Sequence, residues 1–173
     1  MAVQLNHGFT FKNFASYGEF KHYHESVEDS SHYEVIQGNQ CLYFDFDGEL
    51  NIQQLVSAIG KRLTGHSIIV NVYSSSDRVK NSYHVVVKGV YFKDHSACGQ
   101  MAKDVITLVR TEASGDTNWI KSFDATVYSA KRNLRLLGSR KIDSTRVKVF
   151  AGVAYKSDDW TAAVRHGSTY DSD

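Results

Sequence analysis

Proline is absent from all 173 residues, and cysteine occurs only at Cys41 and Cys98. With no proline-rich or low-complexity tract and no internal repeat, the chain lacks a segment suited to a long interdomain linker, so one domain over residues 1–173 is expected. The two cysteines are far apart and neither has a cysteine neighbour, which excludes a cysteine-rich zinc ribbon or finger within the chain and predicts two buried free thiols. Zinc is therefore not expected. No apolar run approaches the roughly 20 residues that cross a bilayer, so no membrane partner is expected. The opening "MAVQLNHGFTF" lacks the basic stretch and long apolar segment of a secretory signal, which predicts an intracellular protein. A strong charge of one sign is missing too. Lys and Arg number 20 against 19 Asp and Glu, a net charge of +1, so the chain as a whole exerts little pull on nucleic acid. The local distribution is less even: Lys131, Arg132, Arg135, Arg140, Lys141, Arg146 and Lys148 stand together against Asp143 alone.

What is present alternates between strand and helix signals. "CLYFDF" is a short apolar run suited to a buried strand, and "NIQQLVSAIGKRLTG" sets Ile52, Leu55, Val56, Ile59 and Leu63 at helical spacing with Gly65 as a stop. "SIIVNVYS" and "YHVVVKGVYF" are rich in β-branched residues and joined by the polar "SSDRVKNS", the pattern of a hairpin. A second helix is predicted from Asp94, an N-cap, with Ala97, Met101, Val105, Leu108 and Val109 on one side. After "TEASGDTNW" come three strand candidates, "SFDATVY", "LRLLGS" and "RVKVFAGVAY", and then a tail, "GSTYDSD", expected to fray. The order of elements predicts an α+β fold with a largely antiparallel or mixed sheet, flanking helices and an aromatic-rich N-terminal piece alongside.

Three separated clusters carry chemistry. Asp45 and Asp47 lie one residue apart at the end of a strand, so their carboxylates share a side and suit a hard cation such as Mg²⁺ or Mn²⁺. In "KNSYHVVV", Ser82 and His84 share a face with Lys80 just before them, and all three can donate hydrogen bonds to phosphate oxygens. In "FDATVYSAKRNLRLLGSRK", Asp124 stands at a strand start where an apolar residue would fit. Leu134 and Leu136 alternate with Arg135, so the guanidinium faces away from the core. Arg132, Arg140 and Lys141 add to a track for polyphosphate or nucleic acid. A structural salt-bridge network among these acids and bases is the plainer alternative, although buried networks of that size are costly without a ligand.

Taken in order, these residues resemble the motifs of the archaeo-eukaryotic primase superfamily, particularly its PrimPol branch and the primase domains of large DNA-virus helicase-primases. "LYFDFD" is similar to the family's apolar strand ending in Asp-x-Asp, with "HYEVIQGNQC" as its lead-in. Ser82 and His84 are similar to its Ser-x-His, "FD" at Asp124 to its third motif, and "VYSAKRNLRLLGSRK" to the segment that follows. The resemblance runs from about His32 to Lys141. It implies an RRM-like catalytic sheet beside an N-terminal α/β module. It also implies a template-directed nucleotidyltransferase that makes or extends primers on single-stranded DNA from ribo- or deoxynucleoside triphosphates. Asp45, Asp47 and Asp124 would hold two Mg²⁺ or Mn²⁺ ions; Lys80, Ser82, His84, Arg132, Arg135 and Lys141 would grip the nucleotide. Lys131, Arg140, Arg146 and Lys148 are candidate DNA contacts. The chain has neither a Cys/His cluster nor a phosphate-binding helicase loop, so a separate or fused helicase is implied and the chain reads as a catalytic domain of a longer polypeptide. The viral likeness points to a DNA-virus or mobile-element origin.

Three other readings compete. "YFDFDGEL" also resembles the Asp-x-Asp-Gly-Thr motif of haloacid-dehalogenase-like phosphatases, with Glu49 where Thr belongs and Asp158 and Asp159 as a later acidic pair. His22 and His24 in "KHYHES" are similar to the metal-binding His-x-His of rolling-circle nucleases, but a charged helical stretch favours surface residues. The third is a catalytically inactive nucleic-acid-binding module.

Overall fold

The structure, a computed structural model, describes residues 1–5, 11–27, 31–140, 144 and 146–157. In chain order the elements are β1 (Ala2–Gln4), β2 (Phe11–Asn13), α1 (Tyr17–Glu25), β3 (Tyr33–Ile36), β4 (Gln40–Phe46), α2 (Ile52–Arg62), β5 (Ile69–Ser74), β6 (Tyr83–Phe92), α3 (His95–Glu112), β7 (Arg132–Arg135) and β8 (Val149–Lys156). The fold is α+β. Two four-stranded sheets, ordered β2-β1-β3-β7 and β4-β6-β5-β8, are antiparallel at every described strand pair. No helix among the described residues is long and apolar enough to cross a membrane.

Local chemistry explains why the elements begin where they do. The Asn51 side chain accepts a hydrogen bond from Gln54 N at 3.2 Å and starts α2, while Asp94 accepts from Ala97 N at 2.9 Å and starts α3. Leu55 and Ile59 from α2 join Ala102, Val105 and Val109 from α3 in the main core. Truncating any one of the larger of these to Ala would cost about 2–5 kcal/mol. That core also takes in Ile36 of β3 and Leu134 of β7, so the two sheets share it. A smaller cluster of Val3, Phe14, Phe20 and Leu136 fixes α1 to the first sheet. Cys41 and Cys98 are free and fully buried.

Three sequence expectations need correction. The first sheet is not made of the N-terminal piece alone, because β7 from the far half of the chain pairs with β3 and completes it. "SFDATVY" is not a strand. Phe123 makes one isolated bridge to Phe46, and Asp124 then caps a 3-10 turn at Ala125–Val127, its Oδ1 accepting from Thr126 N at 2.9 Å and Thr126 Oγ1 at 2.6 Å. A short carboxylate that bonds its own downstream backbone favours the turn over a sheet ladder. "RVKVFAGVAY" pairs regularly only from Val149; Val147 forms a lone bridge to Arg140. The "GSTYDSD" tail lies outside the described residues.

Candidate functional site

A cavity of about 250 Å³ opens between the two sheets. The second sheet contributes Asp45 and Asp47 from the end of β4, with Lys80, Ser82 and His84 from the β5–β6 connection and the start of β6. From the first sheet come Tyr33 of β3 and Arg132, Asn133, Leu134 and Arg135 of β7. Arg146, just before β8, closes the ring. Asp124 reaches it by backbone pairing: Asp124 N donates to Asp45 O at 2.9 Å, and Asp47 N donates to Ser122 O at 2.8 Å. This segment covers the outer edge of β4, which is why an acid 77 positions after Asp47 in sequence lines the same cleft.

Each carboxylate has an internal partner. Asp45 stands directly opposite His84 in the β4–β6 register, with Nε2 3.5 Å from Oδ1. Burial alone would raise the Asp45 pKa, yet the His84 bond and the charges of Lys148 and Arg132 hold it below the usual carboxylate range. His84 is pushed down by burial, aided by Lys148 and Arg135 and opposed by Asp45, so its ring is neutral at neutral pH. A neutral ring that donates from Nε2 to Asp45 keeps only a lone pair on Nδ1, which is buried and has no partner among the described residues. In that tautomer His84 orients Asp45 and leaves Nδ1 as an unused acceptor. Asp47, more exposed, is paired with Lys80 Nζ at 2.9 Å. Asp124 is turned toward Thr126.

Across the cleft the cations are less satisfied. Arg132 Nε, Arg135 Nε and Arg146 Nη1 are buried donors with no hydrogen-bond partner among the described residues. Leaving such a donor without an acceptor costs about 1–3 kcal/mol, more when charged. Among the described residues no three His, Cys, Asp or Glu side chains are gathered as a metal-binding group. The donor chemistry nonetheless suits a hard cation, since the three acids lining the cleft offer only oxygen and Lys80 already seats a positive charge on Asp47.

Of the four candidate DNA contacts, Lys131 is exposed, Arg140 is half-buried and bridged to Val147, and Arg146 lines the cleft. Lys148 is a correction. It is 1% exposed, its Nζ donates to the Arg135 carbonyl at 2.5 Å and lies 5.0 Å from the centre of the Tyr73 ring, so it faces no external strand. Burial lowers its pKa from 10.5 to about 7; Glu34 and Asp45 oppose the shift and Arg135 aids it. Lys141, and the Asp158 and Asp159 pair, lie outside the described residues. His22 is exposed on α1 as expected, but His24 is half-buried with its Nδ1 2.9 Å from His32 Nδ1, and neither lines the cleft.

A larger cavity, about 500 Å³, lies between α2 and α3. Its charges, Lys61 and Glu112, satisfy each other at 2.9 Å and no unpartnered buried polar atom lines it. The smaller cleft is therefore the stronger candidate site. No protein-family profile matches the chain, and no curated protein matches its sequence.

Proposed function

We propose that this chain is a template-directed nucleotidyltransferase of the archaeo-eukaryotic primase type, making or extending primers on single-stranded DNA. One observation carries the reading: Asp45, Asp47 and Asp124 on one side of a cleft stand opposite buried, unpartnered guanidinium nitrogens of Arg132 and Arg135 on the other. Among the described residues no carboxylate bonds the buried Arg132 and Arg135 Nε donors, and acids facing such donors suit a ligand that carries phosphate oxygens and a hard cation together. A nucleoside triphosphate with Mg²⁺ is such a ligand. The second sheet shares the β-α-β-β-α-β element order of an RRM-like sheet in β4, α2, β5, β6, α3 and β8, with α2 and α3 packed against each other, but β8 lies beside β5 and not beside β4.

In this mechanism Arg132 and Arg135 bind the phosphates through parallel N–H donors, fixing the α-phosphorus for in-line attack by a 3′-hydroxyl. Ser82 donates its hydroxyl to the same anion. His84 holds the Asp45 carboxylate in position and keeps it ionised. Lys80 leaves Asp47 for the phosphates when substrate arrives, which keeps the charge of the cleft near balance throughout. Asp45, Asp47 and Asp124 would hold the divalent ions, which when bound neutralise the triphosphate and acidify the attacking hydroxyl. The template is gripped through its phosphates and by stacking, so its affinity falls as salt rises. The partner helicase and the viral or mobile origin belong to the same proposal.

The test is incubation with unprimed and with primed single-stranded DNA, Mg²⁺ or Mn²⁺, and labelled ribo- or deoxynucleotides, beside Asp45→Asn. Labelled products from the wild type alone support the proposal. Silence on both templates refutes it, with DNA binding then pointing to an inactive module and phosphate release from small esters to a phosphatase.

A further inference from the structure

We infer that Arg146 binds the phosphates of the incoming nucleotide and takes no part in holding the template. The inference rests on the nucleotide reading above, and it reaches beyond the resemblance, which ends near Lys141. Arg146 belongs to the segment before β8, where its backbone N donates to Ser144 Oγ at 3.2 Å. Its side chain is 18% exposed, too enclosed to track a strand running over the surface, and it lines the same cleft as Asp45 and His84. Its Nε lies 3.9 Å from Asp77 Oδ2, and Nη1 is buried with no hydrogen-bond partner among the described residues.

Asp77 is itself rigid. Its Oδ1 accepts from Val79 N at 2.8 Å and Lys80 N at 2.7 Å, closing the turn that delivers Lys80 Nζ to Asp47. Arg146 and Lys80 are thus fixed by one turn on two sides of the cleft, and Asp77 acts as the positioning residue for both. Together with Arg132 and Arg135, Arg146 makes a third guanidinium with an unused buried donor around a single cavity. Three guanidinium groups lining one cavity match an anion with many oxygens, and a triphosphate offers them where a single backbone phosphate of DNA does not.

The experiment uses the whole chain and two titrations: a fluorescent nucleoside triphosphate with Mg²⁺, with inorganic tripolyphosphate as competitor, and a labelled single-stranded oligonucleotide across a range of salt. Arg146→Gln should weaken triphosphate and tripolyphosphate binding about 10- to 100-fold, the loss of a charged hydrogen bond, and leave the oligonucleotide affinity and its salt slope unchanged. Arg146→Lys, which keeps the charge, guards against misfolding and should recover only part of the loss because the fork is gone. Asp77→Asn should raise the nucleotide KM without lowering kcat. A wild type that binds triphosphate and an Arg146→Gln variant that binds it equally well would overturn the inference alone, as would a loss confined to the oligonucleotide. A wild type that binds no triphosphate would overturn the nucleotide reading and this inference with it.

Discussion

Lys148 makes a prediction that needs no assumption about function. Its ammonium is buried under the cleft beside the Tyr73 ring, and burial lowers its pKa from 10.5 to about 7. At 1.36 kcal/mol per unit, that displacement is about 5 kcal/mol of charge held in an unfavourable place. The folded pKa is depressed and the group is a base. Between pH 7 and 10.5 the unfolded chain therefore binds a proton that the folded chain does not, and stability rises with pH across that window and is flat below it. From pH 8 to 10 the gain is on the order of 2–3 kcal/mol, which at about 2–4 °C per kcal/mol for a chain of this size is a rise in Tm of roughly 5–10 °C.

Other groups titrate in the same range, so the quantity to measure is the difference between the wild type and Lys148→Met. The charged or titratable neighbours of Lys148 include Glu34, Asp45, Arg135, His84 and Tyr73. Groups that titrate independently of residue 148 are common to both proteins and drop out of the difference. The Arg135 carbonyl loses its donor in the variant, but that cost is independent of pH and shifts the curve without tilting it. Thermal melts at half-unit intervals should show the wild type gaining on the variant steadily as pH rises. Two curves that run parallel from pH 8 to 10 would refute the depressed pKa and the burial argument behind it.

Three further outcomes follow from the geometry. Asp124→Ala should abolish the proposed synthesis and also cost about 1 kcal/mol in urea melts, because the cap on Thr126 is lost, whereas Asp124→Asn keeps an acceptor and should lose activity alone. Gly48→Ala should destabilise by about 1–3 kcal/mol, because φ there is 147° and a Cβ would meet Ser122 Oγ at 2.4 Å; adding Ser122→Gly should relieve the clash but not the backbone strain, which paired melts would separate. Cys41 and Cys98 are both 0% exposed and burial pushes the Cys98 thiol up to about 12, so a thiol reagent should label the chain at its unfolding rate; rapid labelling of the native protein would contradict that burial.

The elements were legible where one local rule acted alone. Apolar periodicity located β4, α2, β5, β6 and α3, and Asp94 as N-cap was readable from its position before an apolar stripe. Long-range pairing was not readable, so nothing in "RNLR" announced that β7 would cross to β3. Lys148 shows a subtler failure. In "RVKVF" the alternation of Val147, Lys148 and Val149 says valines in and lysine out, yet Val147 and Val149 are 42% and 52% exposed and the lysine is buried. The inner side of this segment is the space between two sheets, where the Arg135 carbonyl, the Tyr73 ring and nearby Glu34 offer an ammonium what a valine could not use. The pattern rule assumes an apolar interior, and this interior is polar.

The same polarity bears on the choice between a ligand site and a self-contained salt-bridge network, the alternative that the sequence left open. A network would join the acids to the arginines, since a carboxylate and a guanidinium in reach of each other pair through two parallel bonds. Among the described residues Asp45 is served by His84, Asp47 by Lys80 and Asp124 by Thr126, while Arg146 faces Asp77 on the loop beyond. The two sheets hold the groups on opposite walls of a cavity, and although the Arg132 charge acts on Asp45, the Nε donors of Arg132 and Arg135 bond to none of the acids among the described residues. A fold that kept these charges only for its own stability would gain by letting the walls close. Keeping them apart leaves buried donors unpaired at a cost of about 1–3 kcal/mol each, which an anion entering between the walls would remove.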